Sequence, residues 1–340
     1  MNIAGFFRRF IAGLLLLFPG FACMAAPLPW PVKVPIMIGG HFHDFQNYTD
    51  IPYFHGGLDI CVPSGTPLFT PVSGTVKISR YRIDASRAPL KFEYVRFSFD
   101  TPESQVWKNQ SDAVRYIEVA ITDSVGRIWM YRHIDASSIP EEIRRLDGTG
   151  TPIPEGSMIG RVVAWNAAIS PESRRYDHCH LEIINRDGVF LNPAILMGPV
   201  QDSISPTISG IYFVENEGET AFPNRDQACI VKGDVDIVAA VTDQTDAAKY
   251  VVSPYRLRYG LSRLTPTGKE VVRPLSECIR FDQLPIKGAR TQLSQIVYKE
   301  RLRLEDRLLE SQGNNQGRFF LFTLTNGDPQ NGYAGRNCLS

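Results

Sequence analysis

The chain has 340 residues, 43% of them hydrophobic and 21% charged, and 36 basic residues balance 36 acidic ones for a formal charge of zero. These proportions suit a globular protein and exclude a largely disordered chain, a collagen and a coiled coil. The charge balance removes any bulk attraction to nucleic acid or anionic lipid, and at ~100–200 residues per domain the length favours two domains over one.

Met1 to Ala26 read as a signal peptide: Arg8 and Arg9, an apolar run from Phe10 to Phe21, then the small-residue stretch Ala22-Cys23-Met24-Ala25-Ala26. The run falls short of the ~18–20 residues that span a bilayer. No transmembrane helix is therefore expected once the chain is cut after Ala25 or Ala26. Cys23 offers lipid attachment as an alternative, but Gly20 stands where a lipidation signal carries an aliphatic residue. Export to the periplasm or cell envelope permits disulfides. Cys61, Cys179, Cys229, Cys278 and Cys338 remain after cleavage, an odd number. Cys229 and Cys278 are expected to pair; two buried thiols are the competing reading.

Pro27 to Pro35 is proline-rich and extended. Short segments rich in Val, Ile, Tyr and Phe then recur between turn residues, at Gly74–Ile78, Tyr94–Phe99, Tyr116–Thr122, Ile128–Tyr131, Met158–Val163 and Leu181–Ile184. One short helix is expected over Ser138–Arg145, with Ser138 as its cap and Pro140 in its first turn. Pro199 to Pro206 reads as a linker. Ile208–Val214, Val235–Val241, Tyr255–Tyr259 and Phe319–Leu324 again read as strands. Leu293, Ile296, Val297, Leu304 and Leu308 fall near helical spacing and suggest a helix over Ala289–Leu309, with Lys299 to Glu310 as its solvated face. The fold class is therefore mostly β: an antiparallel domain over residues 27–200, then a smaller β-sandwich-like domain over 206–340. That second domain ends a strand or two short of a complete sandwich.

Histidine is scarce, with six in the chain. In His55-Gly56-Gly57-Leu58-Asp59 a helix would put His55 and Asp59 on one face, but two adjacent glycines each cost a helix ~1 kcal/mol. A glycine turn delivering His55 into a strand Leu58–Val62 that presents Asp59 is the better reading. In His178-Cys179-His180-Leu181-Glu182, a strand puts His178, His180 and Glu182 on one face. Catalytic zinc takes three protein ligands and keeps a fourth position for water. His55, Asp59 and His180 supply two nitrogens and a carboxylate oxygen, one zinc per chain, with His178 and His133 beside the water. His41 and His43 are read as structural, with a place along a groove as the alternative. Cys61 shares the face of Asp59 and reads as a buried small residue or a metal neighbour. Glu182 either orients a ligand or is a solvated carboxylate. No G-x-S-x-G, P-loop or G-x-G-x-x-G is present.

The set His55-Gly-Gly-Leu-Asp59, Tyr131-Arg-His133 and His178-Cys-His180 resembles the lysostaphin-type zinc peptidases, the LytM or M23 family. Gly65-Thr66-Pro67-Leu68, Pro71 to Val76, Pro154 to Gly160 and Asn192-Pro193 add to the likeness, which runs from about Pro35 to Leu196. The resemblance implies a mostly antiparallel β fold with a groove over the sheet, and cleavage of peptide cross-links or stems in peptidoglycan. It implies His178 as general base and His133 as the group stabilising the tetrahedral intermediate, or the reverse. The chain departs from the family at Trp165–Asp177, where a Gly/Ser-rich turn would stand, and at the insertion Ile83–Ser111. A non-catalytic envelope protein that binds peptidoglycan or activates another cell-wall hydrolase is the alternative. Residues 27–40 are in place to mask the groove, and the C-terminal domain to position the enzyme or bind an envelope protein.

Overall fold

A computed structural model describes residues 26–48, 51–84, 91–96, 117–164, 176–225, 228–244, 246, 250–284, 293–313 and 317–327. The signal segment up to Ala25, Cys23, Cys338, residues 97–111 of the insertion and 165–175 of the altered turn lie outside them. Among the described residues no helix is long and apolar enough to cross a membrane.

The strands of the first half are β1 (Ile38–Gly40), β2 (Phe45–Gln46), β3 (Tyr53–Phe54), β4 (Leu58–Cys61), β5 (Pro67–Phe69), β6 (Gly74–Asp84), β7 (Lys91–Arg96), β8 (Ile117–Asp123) and β9 (Ile128–Arg132). A short helix, α1 (Glu141–Leu146), precedes β10 (Pro152–Ile153), β11 (Met158–Arg161), β12 (His178–Ile184) and β13 (Phe190–Leu191). The main sheet is antiparallel, in the order β1-β4-β12-β9-β8-β6-β10. The fold is mostly β and antiparallel, as the alternating segments require. Along β4 and β12 the parity is plain: Leu58 and Ile60, with Cys179, Leu181 and Ile183, are buried in one core with Trp129, Tyr131 and Val119. Asp59, His178, His180 and Glu182 therefore stand on the opposite face.

The N-terminal stretch is part of this sheet. Leu28 bridges to Met197, Trp30 Nε1–H donates to the Gly198 carbonyl at 2.9 Å, and β1 pairs with β4. Ser138 does not cap α1: Pro140 occupies the cap position, while the Ser138 hydroxyl donates to the Asp135 carbonyl and accepts from Arg161 N–H. Within the insertion, β7 pairs back on β6.

Residues 199–206 run without strand or helix, exposed except for the half-buried Val200. Beyond them come β14 (Thr207–Glu215), β15 (Asn224–Arg225), β16 (Ala228–Cys229), β17 (Val235–Thr242), β18 (Arg256–Thr265), β19 (Gly268–Arg280), β20 (Gln283–Leu284), β21 (Arg301–Arg303), β22 (Leu308–Glu310) and β23 (Leu321–Thr323). β14, β17 and β23 form a three-stranded sheet, and β15–β16, β18–β19 and β21–β22 are two-stranded ribbons. Of the helix expected over Ala289–Leu309, residues 289–292 lie outside the described residues, 293–297 are helical, and the chain then reverses into the β21–β22 ribbon. Arg301 and Arg303 are exposed while Leu302 between them is buried, a period of two that overrides the helical spacing. Cys229 and Cys278 are free thiols, against the expected disulfide: Cys278 is buried in the second core and Cys229 lies half-buried on β16.

That second core is shared between the halves. Phe42, Phe45, Phe54 and Phe190 pack with Ile237, Phe281, Tyr298, Phe320 and Phe322. Phe54 lies edge-on to Phe281 and Phe45 edge-on to Tyr298. β13 also pairs with β20, which ties the C-terminal half to the main sheet.

Candidate metal centre

Strand register builds the site. In β12, His180 stands opposite Asp59 of β4 on one side and Arg132 of β9 on the other. The turn 55–57 swings His55 onto the same face, and Gly57 permits it: a Cβ there would lie 2.6 Å from both His180 Nε2 and the Leu181 carbonyl oxygen.

The three side chains converge tightly. His55 Nε2 and His180 Nδ1 are 2.9 Å apart, and Asp59 Oδ1 lies 3.1 Å from the first and 2.9 Å from the second. The outer nitrogen of each ring is committed. His55 Nδ1–H donates to the His41 carbonyl at 2.7 Å, and His180 Nε2–H donates to Glu182 Oε1 at 3.2 Å. With the outer nitrogens so engaged, the inner nitrogen of each ring is the one free to act as an acceptor in the neutral tautomer. One atom from each of the three buried side chains lies within 4.8 Å of the others, a set that could hold a metal ion. The donor set fits a divalent metal; two imidazoles and a carboxylate suit zinc and leave a coordination position open.

Burial alone would raise the Asp59 carboxyl, but His55, His178 and His180 outweigh it and hold the group well below the usual carboxylate range. Burial disfavours charge on His180, yet Asp59 and Glu182 raise it above an ordinary imidazole.

Behind His180, Glu182 receives both ends of the Arg132 guanidinium, at 2.9 and 2.8 Å, and Arg132 Nε–H donates to Glu118 at 2.8 Å. Glu182 is thus a buried hydrogen-bond partner of His180 and not a solvated carboxylate. His178 Nδ1–H donates to the Tyr176 carbonyl at 2.7 Å, so Nε2 faces the centre, 3.6 Å from Asp59 Oδ1. Burial lowers its basicity, so the ring is held neutral. His133 follows the last residue of β9 with a left-handed backbone, φ 65°, a conformation that histidine adopts more readily than most residues. That turn carries its ring to 4.5 Å from the His178 ring. His55, Asp59, His180, His178 and His133 are thus gathered at one place.

The remaining candidates are sorted by their surroundings. His43 is buried and stacked on Phe281 at 3.9 Å, a packing role. His41 contributes its backbone carbonyl to His55, while its ring N–H donates to the Ser253 carbonyl at 2.9 Å. Cys61 stays outside the ligand cluster, and burial pushes its thiol up. Tyr176 was not singled out by sequence. Its hydroxyl donates to Asp59 Oδ2 at 2.7 Å, from a stretch that reads as loop.

No protein-family model and no curated protein matches the chain. Solved structures with similarity include a putative M23 peptidase from Pseudomonas aeruginosa, at 22% identity over 51% of this chain and TM-score 0.28. The chain spans 51% of that protein's length. The SpoIIQ–SpoIIIAH pore-forming complex aligns at 15% identity over 50% of this chain and 90% of the other, TM-score 0.32. A mutant catalytic domain of the prophage-encoded M23 protein EnpA from Enterococcus faecalis aligns at 18% identity over 49% and 95%, TM-score 0.27.

Proposed function

We propose that this protein is an exported zinc metalloendopeptidase that hydrolyses peptide bonds in peptidoglycan, either cross-links or stem peptides. The observation that carries the reading is the convergence of His55 Nε2, Asp59 Oδ1 and His180 Nδ1, with two further imidazoles beside them. His55, Asp59 and His180 would hold the zinc. When bound, it acidifies a water molecule and polarises the scissile carbonyl.

The other residues supply proton transfer and charge stabilisation. His178, neutral and with Nε2 turned inward as an acceptor, takes the proton of the attacking water as general base. His133 stabilises charge developing on the carbonyl oxygen and can exchange roles with His178. Glu182 and the His41 carbonyl keep the ligand rings in the tautomers that bind metal. Peptidoglycan as substrate and the periplasm or cell envelope as location draw support from the signal-like segment Met1–Ala26 and the resemblance of the histidine motifs. Residues 27–200 form the peptidase unit and residues 206–340 the β-sandwich-like unit in this reading.

A muropeptide digest tests it. Protein from Pro27 onward is incubated with isolated sacculi and zinc, beside His180→Ala. New free amino groups and shortened cross-linked species in the first sample alone are the expected result. Unchanged sacculi with a folded, zinc-loaded protein would overturn the enzyme reading in favour of a binding or activating role.

A further inference from the structure

The residue two positions before His178 touches both kinds of group in the centre. The Tyr176 hydroxyl donates to Asp59 Oδ2 at 2.7 Å, while its backbone carbonyl accepts from His178 Nδ1–H at 2.7 Å. Its ring lies 4.4 Å from the His178 ring. The hydroxyl engages one carboxylate oxygen and leaves Oδ1 to face the two imidazoles. The carbonyl fixes the His178 tautomer that turns Nε2 inward.

Tyr176 is in turn braced from the C-terminal half. Tyr250 stands perpendicular to it, ring centroids 5.2 Å apart. Arg318 lies over Tyr250 at 5.6 Å and donates through Nη1 to the Gly39 carbonyl at 2.6 Å and the Val251 carbonyl at 3.2 Å. Gly39 leaves room for the ring: a Cβ there would sit 3.0 Å from the Tyr176 hydroxyl oxygen.

We propose that Tyr176 is a positioning residue of the metal centre, holding Asp59 as a one-oxygen ligand and His178 as an inward-facing acceptor, with Tyr250 and Arg318 of the C-terminal half as its brace. The proposal rests on the zinc-centre reading above. Tyr176 stands in the altered turn, where the peptidase family carries small residues, so the role belongs to this chain's own sequence.

The test uses the full chain from Pro27 and measures zinc affinity by competition with a chromophoric chelator. The visible spectrum of the cobalt-loaded protein and the melting of the metal-free protein are recorded alongside. Tyr176→Phe removes the hydroxyl and keeps the ring and the carbonyl. It is expected to weaken zinc about 10–100-fold, the usual effect of deleting a ligand's outer partner. The cobalt spectrum should change as Asp59 gains freedom to offer both oxygens, and the metal-free melting should not move. Tyr250→Leu, outside the centre, is expected to weaken zinc several-fold. Wild-type affinity with a wild-type cobalt spectrum, in either folded variant, overturns the proposal and leaves the zinc centre intact. A wild-type protein that binds no zinc overturns both.

Discussion

Arg132 meets Glu182 through two parallel hydrogen bonds, 2.9 and 2.8 Å long, deep behind the metal-ligand cluster. Its third nitrogen reaches Glu118 at 2.8 Å, so one buried cation serves two buried carboxylates. Such a group is costly to leave half-assembled, because each carboxylate lacks water to replace the guanidinium. The arrangement places a fixed acceptor behind His180 and makes the Arg132 row both a structural and a site feature.

Arg132→Met is expected to destabilise the protein by about 3–5 kcal/mol, since two carboxylates are left unpaired. Urea unfolding checks it. Arg132→Met combined with Glu118→Gln should recover part of the loss. A single variant as stable as wild type would show that the network contributes nothing.

His178 and His180 are neighbours on one strand face with different duties, and substitution separates them. His180→Ala is expected to lose both zinc and hydrolysis. His178→Ala is expected to keep zinc while hydrolysis falls about 10²–10⁴-fold, as for removal of a general base. Zinc content by atomic absorption beside a muropeptide digest distinguishes the two. Loss of zinc in His178→Ala would make it a ligand.

Gly57→Ala is expected to weaken zinc binding and to cost about 1–3 kcal/mol of stability. The new methyl group would meet His180 Nε2 and the Leu181 backbone at 2.6 Å, so the ligand strand must shift. Zinc titration and thermal melting check both effects. Unchanged values would mean that the turn does not need glycine there.

His43 gives a pH prediction. Burial and the neighbouring His41 lower it from 6.5 to about 3 in the folded chain. Between those values the unfolded chain binds a proton that the folded chain refuses, so stability falls as pH drops below 6.5 and the loss continues to about 3. Above 6.5 the contribution of neutral His43 is fully present. His43→Gln is expected to flatten this part of the pH–stability curve by a few kcal/mol, because each tenfold drop in proton affinity is worth ~1.4 kcal/mol. Urea unfolding at pH 7, 5.5 and 4.5 measures it, and parallel curves for the two proteins would contradict the assignment.

The site was legible wherever side-chain identity and strand parity carry it. Cys179, Leu181 and Ile183 face the core, and that alternation alone puts His178, His180 and Glu182 together. His55 and Asp59 were readable because two glycines exclude a helix. The carbonyl of His41 was not readable, because a backbone acceptor has no sequence signature. Tyr176 was hidden because its partner Asp59 lies 117 residues away. In the C-terminal half, the helical spacing of Leu293, Ile296 and Val297 does not continue to Leu304 and Leu308, because Arg301 to Arg303 alternate as a strand. The strand Gly268–Arg280 went unseen because most of it is exposed on both faces, and no burial periodicity marks it.

The pairing of Phe42, Phe45 and Phe54 with aromatic residues of the far half makes the alignment of the site a long-range property of the chain. His55 follows Phe54 directly; the Phe54 ring lies 5.7 Å from that of Tyr298, whose hydroxyl donates to the His43 carbonyl at 2.9 Å. The candidate ligands all precede Glu182, yet the segment that aims His55 is covered by Phe281, Tyr298, Phe320 and Phe322 of the far half. A change in the packing of those distant aromatic residues would therefore be felt at the His55 turn, well away in sequence from the residue altered.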